Sequence, residues 1–211
     1  DDLYKMAQNA ELPLTRYLDI LERNLPQETD LVAMRDLTFA LRGSFGFLHQ
    51  VENGDALLAD YAGRFEPLLW RLISQSDGDA RQTWLNTYID TANNEFAWQR
   101  LQQLLSGELI LADYELEQDT RWRIVLKLNE FRRPNHAALA AAEAAKDGSA
   151  IGQENAVRAK VLAARGDDKM RWFDKAMAAD EEFSLRRSRT ILAGLFPYSS
   201  QRSLAAPYAQ R

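Results

Sequence analysis

Hydrolytic and group-transfer chemistry draws on histidines, cysteines, activated serines and paired carboxylates, and this chain of 211 residues holds few of them in usable patterns. It has two histidines, His49 and His136, and no cysteine. A catalytic zinc needs three protein ligands and an open position for an activated water, most simply two histidines one helical turn apart with a glutamate between them. Neither histidine has a second one nearby. His49 reads as a surface or helix-end residue close to Gly54, and His136 as a helix-entry residue after Pro134. The lack of cysteine excludes a thiolate nucleophile, thiolate metal sites and a disulfide framework. No Gly-x-Ser-x-Gly elbow is present, and the ten glycines are scattered rather than gathered into a phosphate-binding loop.

Three further groupings invite chemistry and favour a plainer account. Glu115, Glu117 and Asp119 could imitate an acid/base pair or a cation site, but a solvated linker ending in a helix cap explains them as well with fewer demands. Arg186, Arg187 and Arg189 could hold a phosphate or a peptide carboxylate; Asp180, Glu181 and Glu182 just upstream suggest a salt-bridged helix face instead. Trp70, Trp84, Trp98, Trp122 and Trp172 sit at helical spacing within apolar stripes, which suits a core better than base stacking. The chain is therefore expected to contain no catalytic, cofactor-binding or metal-binding residues. Asp119, Arg121 and Trp122 are singled out for structure, with the carboxylate capping a helix and the tryptophan filling the interior.

The elements that would position these residues are helical. Pro13 opens a helix in which Leu14, Tyr17, Leu18 and Leu21 share a face until Pro26 stops it. Asp30 caps a second helix expected to close near Gly43. A longer pattern runs from Gly54 to Ile73, with Pro67 expected to kink or divide it. Asp77 or Asp79 starts the next helix, and Asn94 another that carries Phe96, Ala97, Leu101, Leu104 and Leu105. After Ser106-Gly107 the apolar run Leu109, Ile110 and Leu111 leads through an acidic link to the helix opened by Asp119. An alanine-rich helix after Pro134 follows, then segments 151–165, 168–179, 184–196 and 200–210. From Asp119 onward the helices fall into pairs starting near 119, 150 and 184. That period belongs to stacked helical hairpins. Ala137, Ala138, Ala141, Ala142, Ala144 and Ala145 would let neighbouring helices approach closely. No stretch alternates with a period of two, so the fold class is all-α, an α-solenoid of stacked antiparallel hairpins of the HEAT/armadillo kind. The expected domain is single, 1–211, with a possible subdivision near 107–118.

Composition sets the outer bounds. Hydrophobic residues at 46% and charged residues at 27% are globular values that exclude a disordered chain. A net charge of −5 gives no general attraction to nucleic acid or anionic membrane, and neither is expected as a partner. No apolar run approaches the roughly 20 residues that span a bilayer. Cysteine-free composition fits a reducing compartment, so the cytoplasm is the expected location. The chain begins Asp1-Asp2-Leu3 without an initiator methionine or signal sequence, as expected for a fragment of a longer polypeptide.

Three segments carry a family resemblance. "LLSGELIL" followed by "LEQDTRWRIVLKL" resembles a pattern of the C-terminal helical, endoplasmic-reticulum-aminopeptidase-like domain of zinc aminopeptidases of the aminopeptidase N family. "MAQNAELPLTRYLDILERNLPQETD" near the start and "ILAGLF" with "LAAPYAQR" near the end resemble segments of the same domain, in the same order. The resemblance implies a parent enzyme that removes N-terminal amino acids from peptides, with its zinc, His-Glu-x-x-His motif and Gly-x-Met-Glu-Asn motif all upstream. This chain would then be an inactive, bowl-shaped cover that gates access for peptide substrates, its partner being the catalytic domain of the same polypeptide. In the family's pattern the Arg121 position steadies neighbouring loop carbonyls. The alternative is a freestanding helical-repeat module that binds a protein or peptide on its concave face. One departure is the ending at Ala209-Gln210-Arg211, where the family's domain continues to an aromatic close.

Overall fold

The computed structural model describes residues 2–178, 185–195, 197, 200, 201 and 204. Among the described residues the regular structure is eleven α-helices and one 3-10 turn, with only isolated bridge positions at Leu111 and Tyr114. The all-α expectation therefore holds. No described helix is long and apolar enough to cross a membrane. Backbone contacts divide the chain into two compact units: Asp1–Gln103 with Leu109–Ala112, and Leu104–Glu108 with Asp113–Arg211. The expectation was a single domain 1–211 with a possible subdivision near 107–118, and the boundary between the units passes through 104–113.

The first unit holds α1 (Asp2–Gln8), α2 (Leu14–Asn24), the 3-10 turn Leu25–Gln27, α3 (Leu31–Leu48), α4 (Gly54–Gln75), α5 (Gly78–Thr91) and most of α6 (Glu95–Ser106). Pro13 occupies the N-cap of α2, and Pro26 forces the tighter turn that follows it. The next link is set by two carboxylates in series. Glu28 Oε1 accepts from the amides of Thr29 and Asp30, and Asp30 Oδ1 accepts from those of Val32 and Ala33, which caps α3 as the sequence predicts. The expected stop at Gly43 does not occur. The helix continues to Leu48, and Gly43 within it is a contact point: a Cβ there would lie 2.0 Å from the hydroxyl oxygen of Tyr4.

α4 also outruns expectation. Pro67 does not divide it, since Pro67 and Gly63 both lie on its exposed side, where water can serve the Gly63 carbonyl that a proline four residues on cannot. Its opposite side supplies Phe65, Leu69 and Ile73 to a core shared with Leu41, Trp84, Leu85, Tyr88 and Ile89, all essentially inaccessible to solvent. Phe45 meets Phe65 edge-on at 6.0 Å. Buried Glu66 accepts from the Asn93 amide at 2.8 Å and from the Asn94 side chain, fixing the turn between α5 and α6. Asn94 Oδ1 in turn caps α6 at the Ala97 amide. Phe96, expected in the apolar stripe of α6, is instead 61% exposed, with the Arg100 guanidinium 4.3 Å above its ring and 4.1 Å from that of Trp70. At the start of α5, Asp77 takes the N-cap position without a side-chain cap bond, and Asp79 adds its charge to the first turn.

The second unit holds α7 (Gln118–Glu130), α8 (His136–Lys146), α9 (Ala150–Ala163), α10 (Gly166–Met177) and α11 (Leu185–Leu195). α7, α9 and α11 open close to the predicted positions 119, 150 and 184. α9 packs against α7, α8 and α11, while α10 packs against α11. Val161, Ala176, Ile191 and Leu195 form the centre of this packing, flanked by Val157, Trp172, Phe173 and Leu192. Gly194 lets α11 come close to α9, since a Cβ there would meet the Val161 side chain at 3.0 Å. Of the helix expected over 200–210, most residues lie outside the described ones, as do Asp180, Glu181 and Glu182.

The glycines of α4 give a paired test of this packing. At Gly54 a Cβ would lie 1.9 Å from the Leu48 carbonyl oxygen, whereas at Gly63 it would meet nothing within 4 Å. Urea unfolding should show Gly54→Ala losing about 1–3 kcal/mol. Gly63→Ala should gain roughly 0.5–1 kcal/mol from its better helix propensity.

Candidate functional site

One joint in the second unit fastens α7 to α8. Arg121, in the first turns of α7, donates to both oxygens of Glu143 on α8, at 2.8 Å each, and Gln118 donates to Glu143 Oε1 at 2.8 Å. Glu143 is 3% exposed, so three donated bonds surround a carboxylate that would otherwise be a buried, uncompensated charge. Burial pushes its pKa up, but the hydrogen bonds from Arg121 and Gln118 and the neighbouring positive charge outweigh that, leaving it below the ordinary carboxylate value. A longer contact, 3.4 Å, joins Arg121 Nη2 to the Leu105 carbonyl.

The adjacent Trp122 is fully buried and points its indole N–H at Asp147, 2.7 Å from Oδ2. Asp147 Oδ1 accepts from the Ser149 amide, and the Ser149 hydroxyl caps α9 at the Gly152 amide. Bonds from Ser149 and Trp122 hold the Asp147 carboxyl below its usual range. Two neighbouring residues of α7 thus fasten α8 and the turn into α9. Asp119 plays a smaller part than expected. The helix opens one residue earlier, Glu117 takes the N-cap position, and neither forms a side-chain cap bond; Asp119 sits exposed in the first turn. Because the helix already starts at Gln118, the Arg121 amide donates to the Glu117 carbonyl and needs no cap from Asp119, whose charge in the first turn interacts favourably with the helix dipole.

α8, α9 and α10 enclose a groove of about 540 Å³. Ala137, Ala140, Ala141 and Ala144 of α8 and Ala156, Ala163 and Ala164 line it with short side chains, and Asn129 and His136 close one part. Of the alanines expected to bring helices together, Ala137, Ala141 and Ala144 face this open space instead. The charged lining comes from Lys160, Asp168, Arg171 and Lys175, with Trp172 between them. Lys175 Nζ lies 5.1 Å from the centre of the Trp172 ring, and Arg171 pairs with Asp168 at 2.9 Å. Three cations against one carboxylate make the lining positive, although the whole chain carries −5. Residues 168, 171, 172 and 175 share one face of α10 by spacing alone, a signal the sequence reading passed over.

Lys169 was also passed over. It is 1% exposed, and its ammonium donates to Gln201, whose amide donates to the carbonyls of Glu130 and Leu162 at 2.9 Å each. Arg165 bonds the Glu130, Leu162 and Ala164 carbonyls at 2.8 Å, closing the C-terminal ends of α7 and α9. Burial, reinforced by the Arg165 charge and partly offset by Glu130, lowers the Lys169 pKa to about 8. The sequence signal was a lysine at helical spacing from Trp172, Phe173 and Ala176, on the apolar side of α10.

The remaining candidates sit as follows. His49 is the C-cap of α3 in the first unit; His136 begins α8 in the second, with Nδ1 2.9 Å from the Arg133 carbonyl, to which it donates. Among the described residues no group of three or more His, Cys, Asp or Glu is placed to hold a metal ion. Glu115 and Glu117 are exposed. Arg187 pairs with Glu154 of α9 at 3.1 Å, while Arg186 and Arg189 border a second hollow beside Arg158. Trp84 and Trp122 are core residues, whereas Trp70, Trp98 and Trp172 are half-buried. No protein-family model matches the chain, and no curated protein matches it significantly.

Two substitutions test the joint and the buried lysine. Arg121→Ala should cost roughly 3 kcal/mol in chemical denaturation, because Glu143 is left buried without its main partner. Glu143 has a depressed folded-state pKa, so the stability it contributes is present above the ordinary carboxylate pKa and is lost as pH falls below it. Glu143→Gln should therefore flatten the acid limb of the stability profile. For Lys169 the sign is opposite. Between about pH 8 and the ordinary lysine value the unfolded chain holds a proton that the folded chain has released, so stability rises with pH across that window. Lys169→Met should abolish this rise, which is at most about 3 kcal/mol.

Proposed function

We propose that this chain is the non-catalytic C-terminal helical domain of a zinc aminopeptidase of the aminopeptidase N family, an α-solenoid that forms a bowl-like cover over the active site and gates peptides. The observation that carries the reading is the role of the family-like segments in the fold. In "LPQETD", Pro26 makes the 3-10 turn and Glu28 and Asp30 set the start of α3. In "DTRW", Arg121 and Trp122 fasten α7 to α8 and to the α9 turn. In "ILAG", Gly194 permits the close approach of α11 to α9. Residues that resemble the family's are joints of the framework, as fits a domain recognised by its architecture rather than by chemistry. The serial packing of α7, α9 and α11 supports the hairpin-stack geometry.

On this reading the zinc and its ligands belong to the upstream part of the polypeptide, where the metal would polarise a peptide carbonyl and activate water. The residues here bind and orient. The alanine-lined groove is a surface on which the distal part of a long peptide can lie, and a cover of this kind restricts water and selects flexible substrates. The same groove supports a second reading, a freestanding module that binds peptides without any attached enzyme.

Comparing the full-length polypeptide with the 211-residue chain separates the two. The proposal expects chelator-sensitive release of N-terminal residues from peptides by the former and none by the latter. Ala141→Trp, which fills the groove, should raise KM for long peptides severalfold and leave an aminoacyl anilide unaffected. A reading frame with no zinc motif upstream of Asp1, or chelator-sensitive hydrolysis by the 211 residues alone, would remove the peptidase reading.

A further inference from the structure

We infer that the groove between α8, α9 and α10 selects peptides bearing side-chain carboxylates, an inference that rests on the peptide-handling role proposed above. The ligand's chemistry follows from the lining. A row of alanines leaves room for a peptide backbone and offers apolar contact, so a small inorganic anion would leave most of the available surface unused. Lys160 on α9 and Arg171 and Lys175 on α10 outnumber the single carboxylate, Asp168, which is already paired with Arg171. A basic segment would meet like charges there, and opposite charge is the usual basis of selection at such a surface. Nucleic acid fits poorly, because its phosphates would extend past three cations onto a chain of net charge −5. Trp172 adds an aromatic face beside Lys175, suited to an aliphatic residue next to an acidic one. The ligand that satisfies all of these is a short peptide in which glutamates or aspartates alternate with small or aliphatic residues.

The test uses the 211-residue chain and three fluorescent peptides of one length. Each is acetylated and amidated, so that no terminal charge contributes, and they differ only in having glutamate, glutamine or lysine at the polar positions. Fluorescence anisotropy should show the glutamate peptide binding about tenfold more tightly than the glutamine peptide, with the lysine peptide weakest. The preference should shrink as salt rises. The double variant Lys160→Glu/Lys175→Glu, whose helical circular dichroism should match the parent's, is expected to lose the preference and turn it toward the lysine peptide. Equal binding of the glutamate and glutamine peptides, or a glutamate preference that survives the charge reversal, overturns the inference. If all three bind equally and Ala141→Trp abolishes that binding, the charge selection is wrong while peptide handling stands. If none binds, both are wrong.

Discussion

The second unit depends on a carboxylate that has been taken out of water. Glu143 lies almost wholly buried on α8, and nothing apolar could make that tolerable; it is tolerable because Arg121 and Gln118 direct three hydrogen bonds at it from α7. The geometry of a guanidinium binding both carboxylate oxygens admits one register between the two helices, so the pair determines where α8 lies as well as holding it there. Trp122 extends the same constraint by one residue. Its ring occupies the interior and its N–H selects Asp147, whose other oxygen steadies the turn into α9. Gly152 completes the turn, since a Cβ at that position would fall 2.4 Å from Asp147.

With α8 anchored at that end, its alanines need not serve as packing surface. An alanine stripe usually signals close helix approach, and here Ala140 is buried in that manner. Ala137, Ala141 and Ala144 remain beside an open groove, and the charged face of α10 stands opposite. Whether short side chains close a gap or leave one depends on the position of the next helix. That position is decided elsewhere, by Val161, Ile191 and Leu195, which draw α9 and α11 together while α10 follows α11.

Lys169 shows the converse economy. A lysine on the apolar side of α10 costs stability for as long as it is charged, and its environment lowers the pKa instead of supplying a full counter-ion. What it gains is one amide oxygen, from Gln201, and through that side chain a link to the C-terminal carbonyls of α7 and α9. In the first unit a buried carboxyl group is handled differently. Glu66 receives two donors from a single turn and so fixes the passage from α5 to α6. Each unit therefore buries a carboxyl side chain at a junction between helices, where the satisfied polar contacts specify one arrangement among the many that apolar stripes would allow.

Local sequence determined what local interactions control. Apolar spacing placed the helices to within a few residues, and short-range donors and acceptors placed several of their ends: Pro13 before α2, Asp30 before α3, Asn94 before α6. Trp122 was legible as core because its neighbours at helical spacing are apolar. Where a residue's meaning depends on a partner distant in the chain, the local signal misled or was silent. Gly43 looked like a stop and proved to be a seat for Tyr4; Asp119 looked like a cap and yielded that place to Glu117; Phe96 looked buried and lies under Arg100. The groove, the Arg121–Glu143 register and the burial of Lys169 were decided by tertiary structure alone. Hydrophobic periodicity specifies which face of a helix turns inward, but only the packed neighbours decide which residues of another helix it meets and what space is left between them.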